Sequence, residues 1–484
     1  ICVPCMSYKC TSDLCYVTSI ICKMAHLNNN NNELAILLVT ISLLILATLW
    51  YKFKLSNHSH KTPSLPPGPI SLPIVGYLPF LRPAILHRQF TNMADTYGPI
   101  FKCQLGSKLY IVINNPELAK VVVRDQDEAF SDRDQTIAAL AITYGGKDIV
   151  VSNNNDNWRK LRKIFVHEML SNKNLEASVR KTIKNVFGKI GTTINIRDIA
   201  FTTEASVLTR MVWGNTLDKA VGISNLGAEL DKVASNIDRL FGRRDMKKQH
   251  TKLDQLFTSI IEDRIESSSK ESQDQGEGNK DFLEILLSHV DEKDTSLNMT
   301  QMKALLLDVM IAGTDTTATT VEWAMASIMH NNKVMRRVTE ELAEVVGLEN
   351  IVQESHLPKL KYLKAREACL VGGYTIPKGC TIFVNVWSIH RDPRYWDNPL
   401  EFNPERFLTH KLDNNGNDLK FFPFGSGRRI CAGVPLAEKM LVFILASLLH
   451  SFDWRLPKGE EHDLSETFGI VLKKRKPLVV VPSQ

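Results

Sequence analysis

The chain has 484 residues, 44% of them hydrophobic, and its 59 lysines and arginines against 53 aspartates and glutamates leave a net charge of +6. The hydrophobic content is that of an ordinary globular protein, and so small a basic excess with no basic tail excludes nucleic-acid binding by charge alone. The length exceeds one common domain, yet no second core stands out; the slight basicity suits an acidic redox partner or an anionic membrane face, and serves solubility equally.

Five of the nine cysteines, Cys2, Cys5, Cys10, Cys15 and Cys22, fall in the first 23 residues. A small disulfide or zinc module is one reading of such a cluster. The segment opens on Ile1 and reaches Met24 just before an apolar run. The expectation is therefore that it is sequence read from outside the protein proper, with residues 1–33 otherwise lumenal. Cys103, Cys369, Cys380 and Cys431 alone in the remainder fit a reducing compartment without a disulfide framework.

Leu34–Tyr51 carries no charge over 18 residues, enough for a membrane-spanning helix. Trp50 and Tyr51 would lie at the interface, and Lys52, Lys54 and Lys61 follow, which places the large domain in the cytosol. A cleaved signal peptide is the rival reading; the lack of a small-residue cleavage site disfavours it. Residues 52–69 form a basic, proline-rich hinge, stiff over Pro63–Pro69 because proline fixes φ. Residues 70–484 form the main domain, predicted to be mostly helical with short strands.

Within it, Ile100–Gln104 and Leu109–Ile113 alternate around Gly106-Ser107 as a hairpin. Pro116–Arg124 reads as a helix opening with proline. Ser267–Lys280 is polar and glycine-containing, and predicts a mobile surface loop before an apolar helical pattern over Asp281–Val290. Met302–His330 is the longest helix candidate. It contains Ala312-Gly313, small enough to let another group approach the backbone, and then Asp315-Thr316, an acid beside a hydroxyl that could relay protons. A threonine-rich stretch more often simply bonds back to its own helix. Gly372–Asn385 reads as a strand, a Pro-Lys-Gly turn and a second strand.

Phe424–Gly433 reads FGSGRRICAG, with Cys431 in a glycine-rich loop beside Arg428 and Arg429 and ahead of an apolar helix, Pro435–His450. A thiolate at a helix N-terminus gains from the dipole and from nearby positive charge, and glycines let the backbone pass close to a large flat group. The combination suits a cysteine bound to haem iron, with an arginine on a propionate. A lone cysteine beside a turn is more commonly a buried structural residue.

Phe424, Gly427, Arg429, Cys431 and Gly433 match F-x-x-G-x-R-x-C-x-G, which resembles the haem loop of the cytochrome P-450 superfamily. Ala312–Thr317 is similar to the oxygen-activating helix of that superfamily, Trp158-x-x-x-Arg162 to its propionate-contacting helix, and Phe402–Phe407 to the segment that puts Arg406 into a buried ion network. The hinge is similar to that of microsomal members, and the wording of the motifs to plant microsomal enzymes that oxidise terpenoids or phenolics, flavonoid hydroxylases among them. The resemblance spans nearly all of residues 65–484. It implies a mainly α fold with small β-sheets behind the anchor, in the endoplasmic reticulum membrane. It implies haem b held by Cys431, with Arg429, Arg162 and Trp158 on the propionates, and Thr316 and Asp315 handling protons for O2. Secondary metabolism of a small lipophilic substrate follows from the same likeness. Electrons would come from NADPH through a separate NADPH–cytochrome reductase, with cytochrome b5 as a further donor, because the chain has no dinucleotide fingerprint.

Two departures stand beside the likeness. The superfamily has an E-x-x-R motif whose glutamate and arginine complete the network of the arginine matched by Arg406, and no E-x-x-R occurs between Thr317 and Cys431. A gap of roughly twenty residues after Ala365 is inferred, which would leave Arg406 underpaired and cost about 3–5 kcal/mol. A second shortening is expected near Asn236–Lys248. Two other readings therefore remain: a truncated, impaired member or faulty gene product, and a reductase-independent haem-thiolate isomerase or dehydratase. The Asp315-Thr316 pair argues against the second.

Overall fold

A computed structural model describes residues 32–56, 65–169, 175–214, 243–270, 281–290, 297–364, 379–408 and 416–484. The N-terminal cysteines, Lys61, Cys369 and the first strand of the Gly372–Asn385 expectation lie outside the described residues, as do positions 236–242 of the second suspected shortening.

Helix α1 runs Asn32–Ser56, longer than the uncharged Leu34–Tyr51 stretch, and Ile36, Leu43, Leu44, Ile45 and Leu49 on it are exposed. Its described apolar stretch is Leu38–Leu49. Among the described residues, one helix, Val434–Ser451, is apolar and long enough to cross a membrane, but it is half buried as a core helix.

Two strands of the small sheet stand near the start of the domain. After α2 (Leu86–Tyr97), β1 (Ile100–Leu105) and β2 (Lys108–Ile113) pair antiparallel, as the alternation predicts, turning through Gly106 at φ +60°. β4 (Thr381–Val384), the second strand expected after the Pro-Lys-Gly turn, joins β2 in parallel, Tyr110 opposite Thr381. Asn115 caps α3 (Pro116–Lys120), accepting from the Leu118 N–H at 2.8 Å, and the chain continues as a wide turn over Val121–Asp125. The proline at the first helical position is pre-organised for that start.

The helices that carry the site follow. α4 (Ile137–Ile142), α5 (Asp156–Glu168) and α6 (Leu175–Phe187) lead through the short β3 (Ile194–Asn195) to α7 (Ile196–Trp213). α8 (Arg243–Lys270) extends into the expected loop: Ser267–Lys270 is its last turn, because nothing there breaks a helix, and the first glycine of the run is Gly276. α9 (Phe282–Ser288) matches the apolar pattern expected there.

α10 (Met299–His330) is the spine of the domain. A capping box starts it, with Asn298 and Gln301 exchanging side-chain and backbone bonds at 2.9 Å each. Asn331 ends it and caps α11 (Asn332–Val346), and the short α12 (Val386–Ile389) follows β4. Buried residues cover α10 almost all round, packed chiefly on α7 and α13 (Val434–Ser451). One stripe escapes: Ala312, Thr316 and Thr320 are exposed. Spaced four residues apart, they share one face, so a space is open along the side of an otherwise buried helix. The C-terminal strands β5 (Asp453–Arg455) and β8 (Val479–Ser483) close a second sheet with β3, and β6 (Glu466–Thr467) pairs with β7 (Lys473–Lys474).

Candidate active site around Cys431

The loop that presents Cys431 is fixed by backbone geometry. Gly425 and Gly427 both take positive φ, +77° and +63°. A Cβ on Gly427 would stand 1.8 Å from the Val123 carbonyl oxygen, so this glycine lets the loop press against the turn after α3. Arg428 pins the same contact: its backbone N–H and its guanidinium both donate to Asp127, at 2.9 and 3.0 Å, and hold that carboxyl below the usual range. The Cys431 N–H donates to the Phe424 carbonyl at 2.9 Å and closes the loop. Gly433 leads into α13, and its Cβ position lies 3.8 Å from the Cys431 Sγ, an ordinary contact. The thiol is exposed, whereas Cys103 is buried. The loop thus leaves Cys431 exposed and not buried as a packing residue.

This packing sets a prediction. Gly427→Ala must hold a left-handed backbone and also displace a backbone oxygen; a loss of at least about 2 kcal/mol is expected. Gly425→Ala meets open space and should cost only the backbone term, about 1–2 kcal/mol. Thermal or denaturant unfolding of the two variants checks the order.

Of three guanidinia, Arg133 and Arg162 lie within reach of Arg429, with Arg162 also in the field of the thiol. Arg429 lies over the Trp158 ring at 4.2 Å and donates to the carbonyls of Ser131, Ser152 and Ile149 at 2.7, 2.6 and 3.3 Å. Burial, then the charge of Arg133, pushes it down to about 10. Arg162 sits 5.7 Å from the same ring and donates to the Ile430 carbonyl at 2.6 Å. Burial lowers its value, and the Cys431 sulfur acts in the opposite sense, which puts this cation within the thiol's field. Burial also lowers Arg133. The sequence reading missed Arg133; its one local signal is its place between Asp132 and Asp134. Asn155 caps α5 and so aims Trp158 and Arg162 inward. The indole N–H of Trp158 is committed to the Ile149 carbonyl at 3.1 Å, so in this arrangement Trp158 is a platform for the arginines and not a donor to a carboxylate.

On α10 the two expected relay residues point to different partners. The Thr316 hydroxyl donates to the Ala312 carbonyl at 2.5 Å on the open stripe. The Asp315 carboxylate is buried and ion-paired with Arg197 of α7 and with Lys473 of β7, the latter at 3.0 Å. Ala312 is on the open face as expected. Gly313 instead accommodates α7: a Cβ there would meet Leu208 Cδ1 at 2.6 Å, so this glycine serves helix packing and not the approach of an outside group.

These residues fit a haem. The thiol is reachable, one guanidinium is within its field, and two more lie alongside, which suits an iron ligand beside two carboxylates.

The Cytochrome P450 family profile matches residues 66–366 and 365–481. The chain belongs to the cytochrome P450 family. Similar proteins include the beta-amyrin 24-hydroxylase of Glycine max, 34% identical over 503 residues (91% of this chain, 97% of that protein). The flavonoid 3',5'-hydroxylase of Campanula medium is 32% identical over 494 residues (89% and 92%). Among solved structures, a zebrafish cytochrome P450 with progesterone superposes with a TM-score of 0.72 at 24% identity, covering 84% of this chain and all of that one. This cytochrome P450 is therefore a monooxygenase of the plant type in sequence, with the family's helical fold and small sheets.

The two matched segments of this cytochrome P450 meet at residues 365 and 366, where the sequence places the missing stretch. Beside that junction lies a cavity of about 390 Å³, lined by Leu363, Ala324 and Ile328 of α10, Leu441 of α13, Phe407 and Arg406. Arg406 corrects one expectation. It is not underpaired: its guanidinium donates to the carbonyls of Asn398, Glu401 and Asn403 at 3.0, 2.9 and 3.2 Å, because the surrounding turn folds around it.

Proposed function

We propose that this cytochrome P450 is a membrane-anchored haem-thiolate monooxygenase that inserts one oxygen atom from O2 into a small lipophilic substrate, a terpenoid or phenolic. The observation that carries the reading is the exposed Cys431 thiol in its glycine-braced loop, with Arg162 in its field and Arg429 and Arg133 alongside. Cys431 would ligate the iron; Arg162, Arg133 and the remaining donors of Arg429 would take the propionates, with Trp158 as their platform. When bound, the haem supplies the oxygen chemistry, and thiolate donation favours O–O cleavage. Thr316, held by the Ala312 carbonyl, keeps its lone pairs free to accept a hydrogen bond on the open stripe. Asp315 would pass protons to it only by leaving Arg197 or Lys473, so those two cations gate the relay.

The substrate class rests on the relatives, a beta-amyrin hydroxylase, flavonoid hydroxylases and a 7-ethoxycoumarin O-deethylase. Exposed apolar residues on α1, and again at Ile70, Ile74, Leu78 and Phe80 just after the hinge, support attachment to the endoplasmic reticulum membrane. Electrons would come from NADPH through a separate reductase, with cytochrome b5 as a further donor. The reduced protein should give the thiolate–carbon monoxide difference spectrum, and Thr316→Ala should raise peroxide released per NADPH consumed while leaving that spectrum unchanged. Unchanged coupling in the variant would remove Thr316 from the relay; absence of the spectrum would remove the haem-thiolate reading for this chain. A second reading has its own support in the split match and the cavity beside Leu363: the fold is present but weakened where the segment is missing.

A further inference from the structure

The segment 148–152 lies between the cysteine loop and α10, and a pair of carboxyls joins it to α10. Asp148 is fully buried, and its Oδ2 accepts from the Val151 N–H at 2.8 Å. Its other oxygen, Oδ1, is buried with no donor. Asp308 of α10 reaches the same segment, its Oδ2 accepting from the Ile149 N–H at 2.6 Å. The two carboxyls are within hydrogen-bonding reach of each other. Two carboxylates this close, with Asp148 fully buried and Asp308 partly so, cannot both stay charged at low cost. One proton between them replaces repulsion by a hydrogen bond. Burial raises both carboxyls above their ordinary range, and the charge of Asp148 raises Asp308 further.

What the pair pins is the support of the cationic cluster. The Ile149 carbonyl takes the Trp158 indole N–H and one Arg429 N–H, and the Ser152 carbonyl takes another. Asp308 stands four residues before Ala312, one turn along the stripe that carries Thr316. Arg429 of the cysteine loop lies within the field of Asp148, and Asp132, Arg133 and Arg162 lie within the field of Arg429.

We propose that Asp148 and Asp308 hold one proton between them and act as a positioning latch, fixing segment 148–152 so that its carbonyls aim Arg429 and Trp158 at the cysteine site. The latch goes beyond the haem-thiolate reading and is read out in the chain itself. The full-length protein in detergent serves for the test, with thermal unfolding followed from pH 4 to 8. A proton taken up on folding stabilises fully below the unfolded carboxyl value, about 3.9, and that stability is lost as pH rises through the raised folded value. The Tm of the native chain relative to Asp308→Asn, whose amide donates to Asp148 without a shared proton, should therefore fall as pH rises. Asp308→Ala should speed hydrogen exchange in the peptide spanning 145–155 by on the order of tenfold, and Asp308→Asn should not. If Asp308→Ala does not fold, Asp148→Asn must reproduce the flattened pH profile. Parallel Tm profiles for the native chain and Asp308→Asn would overturn the latch. So would a Tm that drops on adding chelator, since a cation would then bridge the carboxylates.

Discussion

Cys431→Ala should yield a folded chain with no thiolate-type haem absorption and no NADPH-dependent turnover, a loss of activity to background. The expectation rests on position. Cys431 is the exposed thiol of the described residues, its loop is closed by its own N–H on Phe424, and Arg162 lies within its field. The loop's shape depends on Gly425, Gly427 and the Arg428–Asp127 pair, none of which the substitution touches. Unfolding should therefore shift by less than about 1 kcal/mol, as for most exposed substitutions. Difference spectra and a denaturant titration on the same preparation separate the two effects. A variant that keeps the thiolate signature would transfer the ligand role elsewhere.

Inserting the missing stretch, about twenty residues from a close relative, between Ala365 and Arg366 should raise haem occupancy and stability together. The cavity beside Leu363 is the physical reason. Ala324, Ile328 and Leu441 line it, and burying such apolar surface contributes about 25 cal/mol per Å², against a typical total stability of about 5–15 kcal/mol. Filling it should also change the setting of Arg406, whose guanidinium donates to three backbone carbonyls. The unmodified chain is expected to express poorly and to bind haem at low occupancy. Full occupancy, ordinary thermal stability and reductase-supported turnover in the unmodified chain would show that the cavity is tolerated.

Local chemistry was legible in the sequence. The hairpin of β1 and β2, α10 and the cysteine loop each follow from rules that operate within a few residues: alternation around a glycine, a long apolar helical pattern, and glycines at positive φ. Partners far along the chain were not. Asp315 finds Arg197 at a separation of 118 residues, and the Trp158 N–H goes to a backbone carbonyl that no side-chain pattern announces. Gly313 misled because smallness signals close approach without saying what approaches; here it is Leu208. Arg406 misled in the opposite way, since main-chain oxygens can take up guanidinium donors whenever a turn wraps them.

The parallel pairing of β2 with β4 has a consequence for how the molecule is made. Tyr110 meets Thr381 across 271 residues of chain (381 − 110). At ribosomal rates of about 5–20 residues per second, roughly 15–50 seconds separate the appearance of the two strands. Throughout that interval one edge of β2, the sequence KLYIVI, presents open hydrogen-bonding groups and apolar side chains to whatever is nearby. The nascent domain thus carries an open strand edge for more than half of its synthesis, and its yield in a cell should rise with chaperone supply during that wait.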